Sequence, residues 1–308
     1  MDFCQTQKDR LMQKRIVGPE TERMLELGHP WVIADRYTKR WPQGKSGAVI
    51  ALVNESGKHL ASALYDPGNR IIARVLSRDR VQLSVEWFIQ QLQRAKSLRR
   101  HAQLDDTDAH RWVNSEGDGL PGITLDRYAD YLMLQLYSSA WEPHLPPLRQ
   151  ALQTVFQPRG IYLKPRPQNT RGLEARRSTK QLSRLLAGTA APAPLEVKEN
   201  GLLFQVDLSE GLNTGLFPDQ RRNRREIMAR SSGQRVLNLF AFTGAFSVAA
   251  AAAGAKKVTS IDVSDKYLQL ARNNFSLNRL NPKRHEFITG DVFTELARLR
   301  KESRCFDL

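Results

Sequence analysis

Cysteine is nearly absent from this chain: 308 residues contain two, Cys4 and Cys305, near opposite ends. They can build neither a disulfide framework nor a metal quartet, so no metal site is expected and a cytoplasmic, reducing location is. Long apolar runs are also missing. Nothing approaches the roughly 18 apolar residues of a membrane span, and the opening Met-Asp-Phe-Cys-Gln-Thr-Gln-Lys lacks the apolar centre of a secretory signal. No membrane partner is therefore expected. Acidic residues are scarce, 32 against 47 Lys and Arg, for a formal charge of +15 and a pI near 10.1. An excess so one-sided points to a polyanionic partner. Hydrophobic and charged contents of 41% and 26% are those of a globular protein, and the length allows two or three domains.

One more absence bears on chemistry. Arg235 to Asp262 reads as strand, turn, helix and strand. Val236, Leu237 and Leu239 form a short apolar run, Phe246, Val248 and a run of alanines a compact helix, and Gly254 its end. A second apolar run, Val258 to Ile261, finishes at Asp262. Asp262 lies 18 residues beyond Gly244, near the spacing of about 20 at which a carboxylate reaches a ribose hydroxyl. The three glycines that let a pyrophosphate approach a helix N-terminus are missing. Gly244 stands alone in a turn filled by Phe240, Phe242 and Thr243. That argues against a dinucleotide, and so against an oxidoreductase, and for a nucleoside without phosphates. S-adenosylmethionine fits, although an ordinary crossover with an incidental aspartate gives the same spacing.

Along the rest of the chain, residues 15–82 read as short strands and turns, with strands at Val49 to Val53, His59 to Tyr65 and Ile71 to Leu76 and a helix at Thr21 to Leu27. This predicts a small β-barrel. Residues 83–190 read as a central α+β unit: an amphipathic helix from Ser84 to Arg100, a glycine-dense turn series from Arg111 to Gly122, and a hairpin of Ile123 to Tyr128 with Tyr131 to Tyr137. A helix at Leu145 to Phe156 and a strand at Gly160 to Leu163 complete it. Between Lys164 and Arg184 seven basic residues face Glu174 alone. Arg166, Arg171, Arg176, Arg177 and Lys180 there are candidate contacts for RNA phosphates, a solvated loop being the alternative. Ala187 to Pro194 reads as a linker, and 195–308 as an incomplete Rossmann-like domain with further elements at Asp265 to Asn278, Glu286 to Thr289 and Val292 to Arg300. Phe306-Asp307-Leu308 looks like the opening of a fourth strand.

Three patches together, Gly117-Asp118-Gly119-Leu120-Pro121-Gly122-Ile123-Thr124-Leu125-Asp126-Arg127, Thr214-Gly215-Leu216-Phe217-Pro218-Asp219-Gln220-Arg221 and Val236 to Phe246, resemble the RlmI-type S-adenosylmethionine-dependent methyltransferases of 23S ribosomal RNA. The resemblance implies an α/β chain with an N-terminal PUA-like barrel, a central RNA-recognition domain and a C-terminal Rossmann-like methyltransferase domain, acting on cytosine C5. It implies that Asp219 and Arg221 close over the methionine end of the cofactor, that Asn238, Phe240 and Gly244 form the floor, that Asp262 holds the ribose, and that Asp291 and Val292 flank the adenine. Asp219 and Asp291 can equally cap helices, and Arg221 can be a surface cation. The family's Asp-Pro-Pro motif and the serine-cysteine segment that supplies its catalytic thiolate are not matched here. No catalytic residue is therefore assigned, and the expectation is binding of RNA and cofactor without turnover. Cytosine rests on overall likeness, with guanine methylation or a non-catalytic RNA-binding role as alternatives.

Overall fold

The computed structural model describes residues 12–100, 102, 104–166, 182–211 and 213–308. Strand β1 (Gln13–Ile16), helix α1 (Pro19–Glu26), β2 (Trp31–Ile33), β3 (Val49–Val53), β4 (His59–Tyr65) and β5 (Ile71–Ser77) build the first unit. Its sheet runs β1-β3-β4-β5-β2, with β1 parallel to β3 and the other neighbours antiparallel. Val32, Ile50, Leu52, Ala63 and Ala73 are its buried centre. The three long strands agree with their apolar alternation. Strands β1 and β2 do not announce themselves, because Gln-Lys-Arg-Ile and Trp-Val-Ile are too short to show a period.

Helix α2 (Val85–Leu98) follows, capped by Ser84, whose hydroxyl accepts from the Trp87 N–H. Next come β6 (Ala109–Asn114), β7 (Ile123–Tyr128), β8 (Tyr131–Leu136), α3 (Leu145–Phe156), β9 (Gly160–Pro165) and β10 (Arg184–Gly188). They form a sheet in the order β10-β9-β8-β7-β6. Two expectations need correction. The turn series begins at Ser115, because Ala109 to Asn114 pairs with β7 as a strand. The supposed linker begins later as well, since Ala187 and Gly188 pair with Ile161 and Gly160 at the sheet edge. Of the basic segment, Arg171, Arg176, Arg177 and Lys180 lie outside the described residues.

The last unit opens with the hairpin β11 (Leu195–Glu199) and β12 (Leu202–Val206), turned by Asn200-Gly201 as that dipeptide predicts. Helix α4 (Arg221–Arg230) leads to β13 (Arg235–Leu239), α5 (Ala245–Ala252), β14 (Lys257–Asp262), α6 (Asp265–Leu277), β15 (Glu286–Thr289) and α7 (Val292–Lys301). The sheet is parallel in the order β13-β14-β15. At its other edge Asp307 N–H donates to Arg235 O at 2.8 Å and Leu237 N–H to Leu308 O at 2.9 Å, so the final residues lie beside β13. The chain therefore reverses its strand order at β13, the switch point whose carboxyl-end crevice takes ligands in doubly wound sheets.

One face of the central sheet packs on α2 and α3 through Phe88, Leu92, Leu134, Trp141 and Leu148. The other face shares a core with the last unit: Tyr128, Tyr131, Met133 and Tyr162 join Val197, Phe204, Val248 and Phe275. This shared core places the central sheet against the segment that leads into the crevice. Among the described residues no helix is long and apolar enough to cross a membrane.

Candidate nucleoside site

Strands β13, β14 and β15 end side by side at Leu239, Asp262 and Thr289, and the loops beyond them define the crevice. The turn after β13 is unusual. Phe240 and Phe242 have φ of 55° and 50°, in the left-handed region that bulky side chains avoid. Asp262 holds this turn: its carboxylate accepts from Phe242 N–H at 2.8 Å and from Ser264 N–H at 2.9 Å. Ala241 N–H donates to Ile261 O at 2.9 Å, tying the turn to the next strand. Each carboxylate oxygen keeps a further lone pair for an outside donor.

Around that carboxylate stand three large apolar side chains in solvent: Phe240 at 66% exposure, Val263 at 76% and Phe293 at 74%. Phe240 and Phe293 meet edge to face with centroids 6.4 Å apart. One exposed apolar residue at each of three adjacent strand tips makes a patch suited to a flat ring, and the aspartate beside it suits vicinal hydroxyls. Among the described residues no group of three His, Cys, Asp or Glu could hold a metal ion.

The expected residues are distributed unevenly around this patch. Asp262 and Phe240 stand in it. Asn238 lies beneath, donating from Nδ2 to Ser247 Oγ at 2.9 Å, and Ser247 Oγ lies 2.7 Å from Ser260 Oγ. Gly244 starts α5 at φ 73°, and a Cβ there would sit 2.6 Å from Ala271 Cβ. A glycine there lets α5 and α6 approach closely. Gly244→Val is expected to destabilise the fold by about 1–3 kcal/mol, read as a lower urea midpoint; an unchanged midpoint would show that the contact relaxes freely.

Asp291 caps α7: its Oδ1 accepts from Thr294 N–H at 2.9 Å and from the Thr294 hydroxyl at 3.1 Å, bonds that hold its carboxyl below the usual carboxylate range. Val292 turns inward to Ile261 and Leu299, and the exposed side chain at this tip is Phe293. Val263 and Phe293 were missed by sequence reasoning. Their signal was an apolar residue just beyond an acidic strand end. Arg221 is buried, and its guanidinium donates to Ala102 O at 2.6 Å.

Asp219 is half exposed in a short turn, Pro218–Gln220, and its Oδ2 lies 3.9 Å from Arg111 Nη1. The segment leading to it is fastened on both sides. Thr243 Oγ1 donates to Gly215 O at 2.5 Å, and Tyr128 Oη lies 2.8 Å from Thr214 Oγ1. Phe217, Phe242 and Tyr267 stack in sequence with centroids 5.4 and 4.5 Å apart. Arg166 Nη2 donates to Asn213 Oδ1 at 3.3 Å, and buried Lys164 donates to Gly211 O at 3.1 Å. Burial lowers the Lys164 ammonium to about 8, with Arg166 nearby acting in the same direction. Cys305 lies at the other end of the sheet, beside Arg235 and Lys257 where β13 and β14 begin.

Residues 101–308 match the family model of S-adenosylmethionine-dependent methyltransferases, and residues 16–78 match that of a PUA-like domain. Ribosomal RNA large subunit methyltransferase I of Yersinia pseudotuberculosis is 35% identical over 296 residues, covering 95% of this chain and 74% of that protein. The protein of the same name from Yersinia pestis is equally similar, 35% over 296 residues. Among solved structures, one from Streptococcus mutans described as a SAM-dependent methyltransferase superposes with a TM-score of 0.84 at 30% identity, covering 96% of this chain and 75% of that one. A methyltransferase complexed with SAH gives the same score and identity, with 96% and 74% covered. The strand order, the aspartate at the tip of β14 and these likenesses agree: the chain belongs to the S-adenosylmethionine-dependent methyltransferase family, in the branch of the ribosomal RNA large subunit methyltransferase I proteins.

Proposed function

We propose that this chain binds S-adenosylmethionine at the tips of β13, β14 and β15 and serves the methylation of cytosine C5 in 23S ribosomal RNA, in the cytoplasm where that RNA is found. The observation that carries the cofactor part is the patch of Phe240, Val263 and Phe293 around the Asp262 carboxylate. Adenine packs on the apolar side chains, the ribose hydroxyls donate to Asp262, and the carboxylates of Asp219 and Asp291 favour the cationic ligand. Residues 195–308 hold the cofactor in this reading, while 15–82 and 83–190 present RNA, drawn by the +15 charge. The RNA substrate follows the names of the Yersinia relatives.

Methylation at cytosine C5 needs a thiolate to add at C6, after which C5 takes the methyl and a base removes its proton. Cys305, at the amino ends of the strands, is at the wrong end of the sheet for that addition. Cys4 lies outside the described residues. Cys305 is therefore not assigned as that thiolate. Titration calorimetry with S-adenosylhomocysteine and filter binding of 23S rRNA test the two halves. No heat with the nucleoside ligand overturns the site. Radiolabelled methyl transfer that Cys305→Ala abolishes overturns the reading of Cys305, and 2-methylguanosine in the digested RNA overturns the choice of base.

A further inference from the structure

The polar half of the central sheet is fastened to the segment that carries Asp219. Tyr128 on β7 is buried, and its hydroxyl reaches both Thr214 Oγ1 at 2.8 Å and Leu216 O at 3.1 Å. Arg111 on β6 grips the buried Asp126 with two bonds, Nε–Oδ1 at 2.7 Å and Nη2–Oδ2 at 3.1 Å. Gln135 on β8 donates to the same carboxylate at 3.2 Å. The guanidinium is thus locked in plane; its remaining nitrogen, Nη1, donates to Asn114 Oδ1 at 3.4 Å and lies 3.9 Å from Asp219 Oδ2, an ion pair without a hydrogen bond. On the far side, Thr243 in the strained turn after β13 holds Gly215 O. Residues 214–219 are therefore suspended between the cofactor turn and two rigid side chains of another sheet.

We propose that Tyr128 and Arg111 are positioning residues for cofactor binding, holding residues 214–219 so that the Asp219 carboxylate faces the amino-acid end of S-adenosylmethionine. This rests on the reading of Asp219 given above. Tyr128 fixes the backbone of the segment, and Arg111 fixes the carboxylate's direction through a pair that Asp126 anchors. A planar fork held by Asp126 and Asn114 keeps its positive charge at one place beside Asp219, which a lysine ammonium on a flexible stem does not. The adenosine end of the ligand lies at the strand tips and makes no use of this support.

That division supplies the test. Tyr128→Phe keeps the ring and its packing, and Arg111→Lys keeps a charge beside Asp126. Titration calorimetry compares S-adenosylhomocysteine with 5′-methylthioadenosine, which lacks the amino-acid end. Each variant is expected to bind S-adenosylhomocysteine about fivefold more weakly, with 5′-methylthioadenosine changed by less than about twofold. Asp219→Asn is expected to show the same selective loss, and combining it with Arg111→Lys to add little, because the two act as one unit. Equal weakening of both ligands, or no weakening of either, would show that Tyr128 and Arg111 serve the fold alone. If Asp219→Asn by itself leaves S-adenosylhomocysteine affinity intact, the assignment of Asp219 falls and the positioning role with it. If Asp219→Asn weakens binding and the other two variants do not, only the positioning role falls.

Discussion

Arg224→Met is expected to cost about 3–5 kcal/mol of stability, the usual consequence of leaving one member of a buried ion pair without its partner. Arg224 and Glu199 are 2% and 1% exposed. Their two parallel bonds are both 2.6 Å, and Arg224 also donates to Phe217 O at 2.7 Å. The pair joins α4 to the end of β11, so its loss loosens the entry to the cofactor segment as well as the core. Even in the intact pair, burial raises the Glu199 carboxyl above its ordinary range more than Arg224 lowers it. Removing Arg224 raises it further. A carboxyl whose folded value lies above its unfolded one loses stability as pH rises past the unfolded value, about 4.3. The variant should therefore recover stability as pH is lowered from 7 toward about 5. Adding Glu199→Leu to Arg224→Met should recover part of the loss at neutral pH, since an apolar pair leaves no bare charge. Urea denaturation at pH 5 and pH 7 measures all three. A single variant as stable as the parent would mean that the pair carries no net burden in the fold.

The second large effect is expected at Asp262. Asp262→Ala should weaken S-adenosylhomocysteine binding about a hundredfold, corresponding to roughly 2.7 kcal/mol for charge-assisted bonds to two ribose hydroxyls. The same substitution takes the acceptor from Phe242 N–H and Ser264 N–H, so part of the loss comes through the strained turn. Asp262→Asn separates the parts. Its amide oxygen still accepts one backbone N–H, and the negative charge is gone, so affinity should fall by an intermediate factor of about tenfold. Hydrogen exchange at residues 240–244 should quicken in the alanine variant more than in the asparagine one. Retention of affinity within about twofold in Asp262→Ala would remove the nucleoside site from the strand tips.

Much of this site could be read along the chain because its chemistry is sequence-local. Val236 to Leu239 and Val258 to Ile261 are apolar enough to be strands, and both are, the second fully buried and the first buried at Val236. The lone Gly244 amid aromatics pointed away from a phosphate, and any Cβ at that position would collide with Ala271. Other features were silent for equally physical reasons. Strand β6 carries His110, Arg111 and Trp112, whose bulk and charge break any alternation, and its existence rests on pairing with β7. Strand β10 looked like part of a linker because Ala and Gly carry no pattern of their own, yet Gly160 and Gly188 let the two edges meet. The bond from Arg221 to Ala102 O, 119 positions away, leaves no trace in the motif either.

The amino-acid order alone determined the polyanionic bias, the strand-turn-helix-strand unit and the carboxylate at its tip, since each depends on residues within a few turns of one another. Tertiary structure decided which apolar residues face solvent at three separate strand tips, which arginines are spent on buried carboxylates, and that Tyr128 and Arg111 reach residues 214–219 across more than 80 positions. Such contacts depend on which face of one sheet meets which loop of another, and a linear pattern holds no record of that choice until the shared core around Tyr128 and Phe204 has closed.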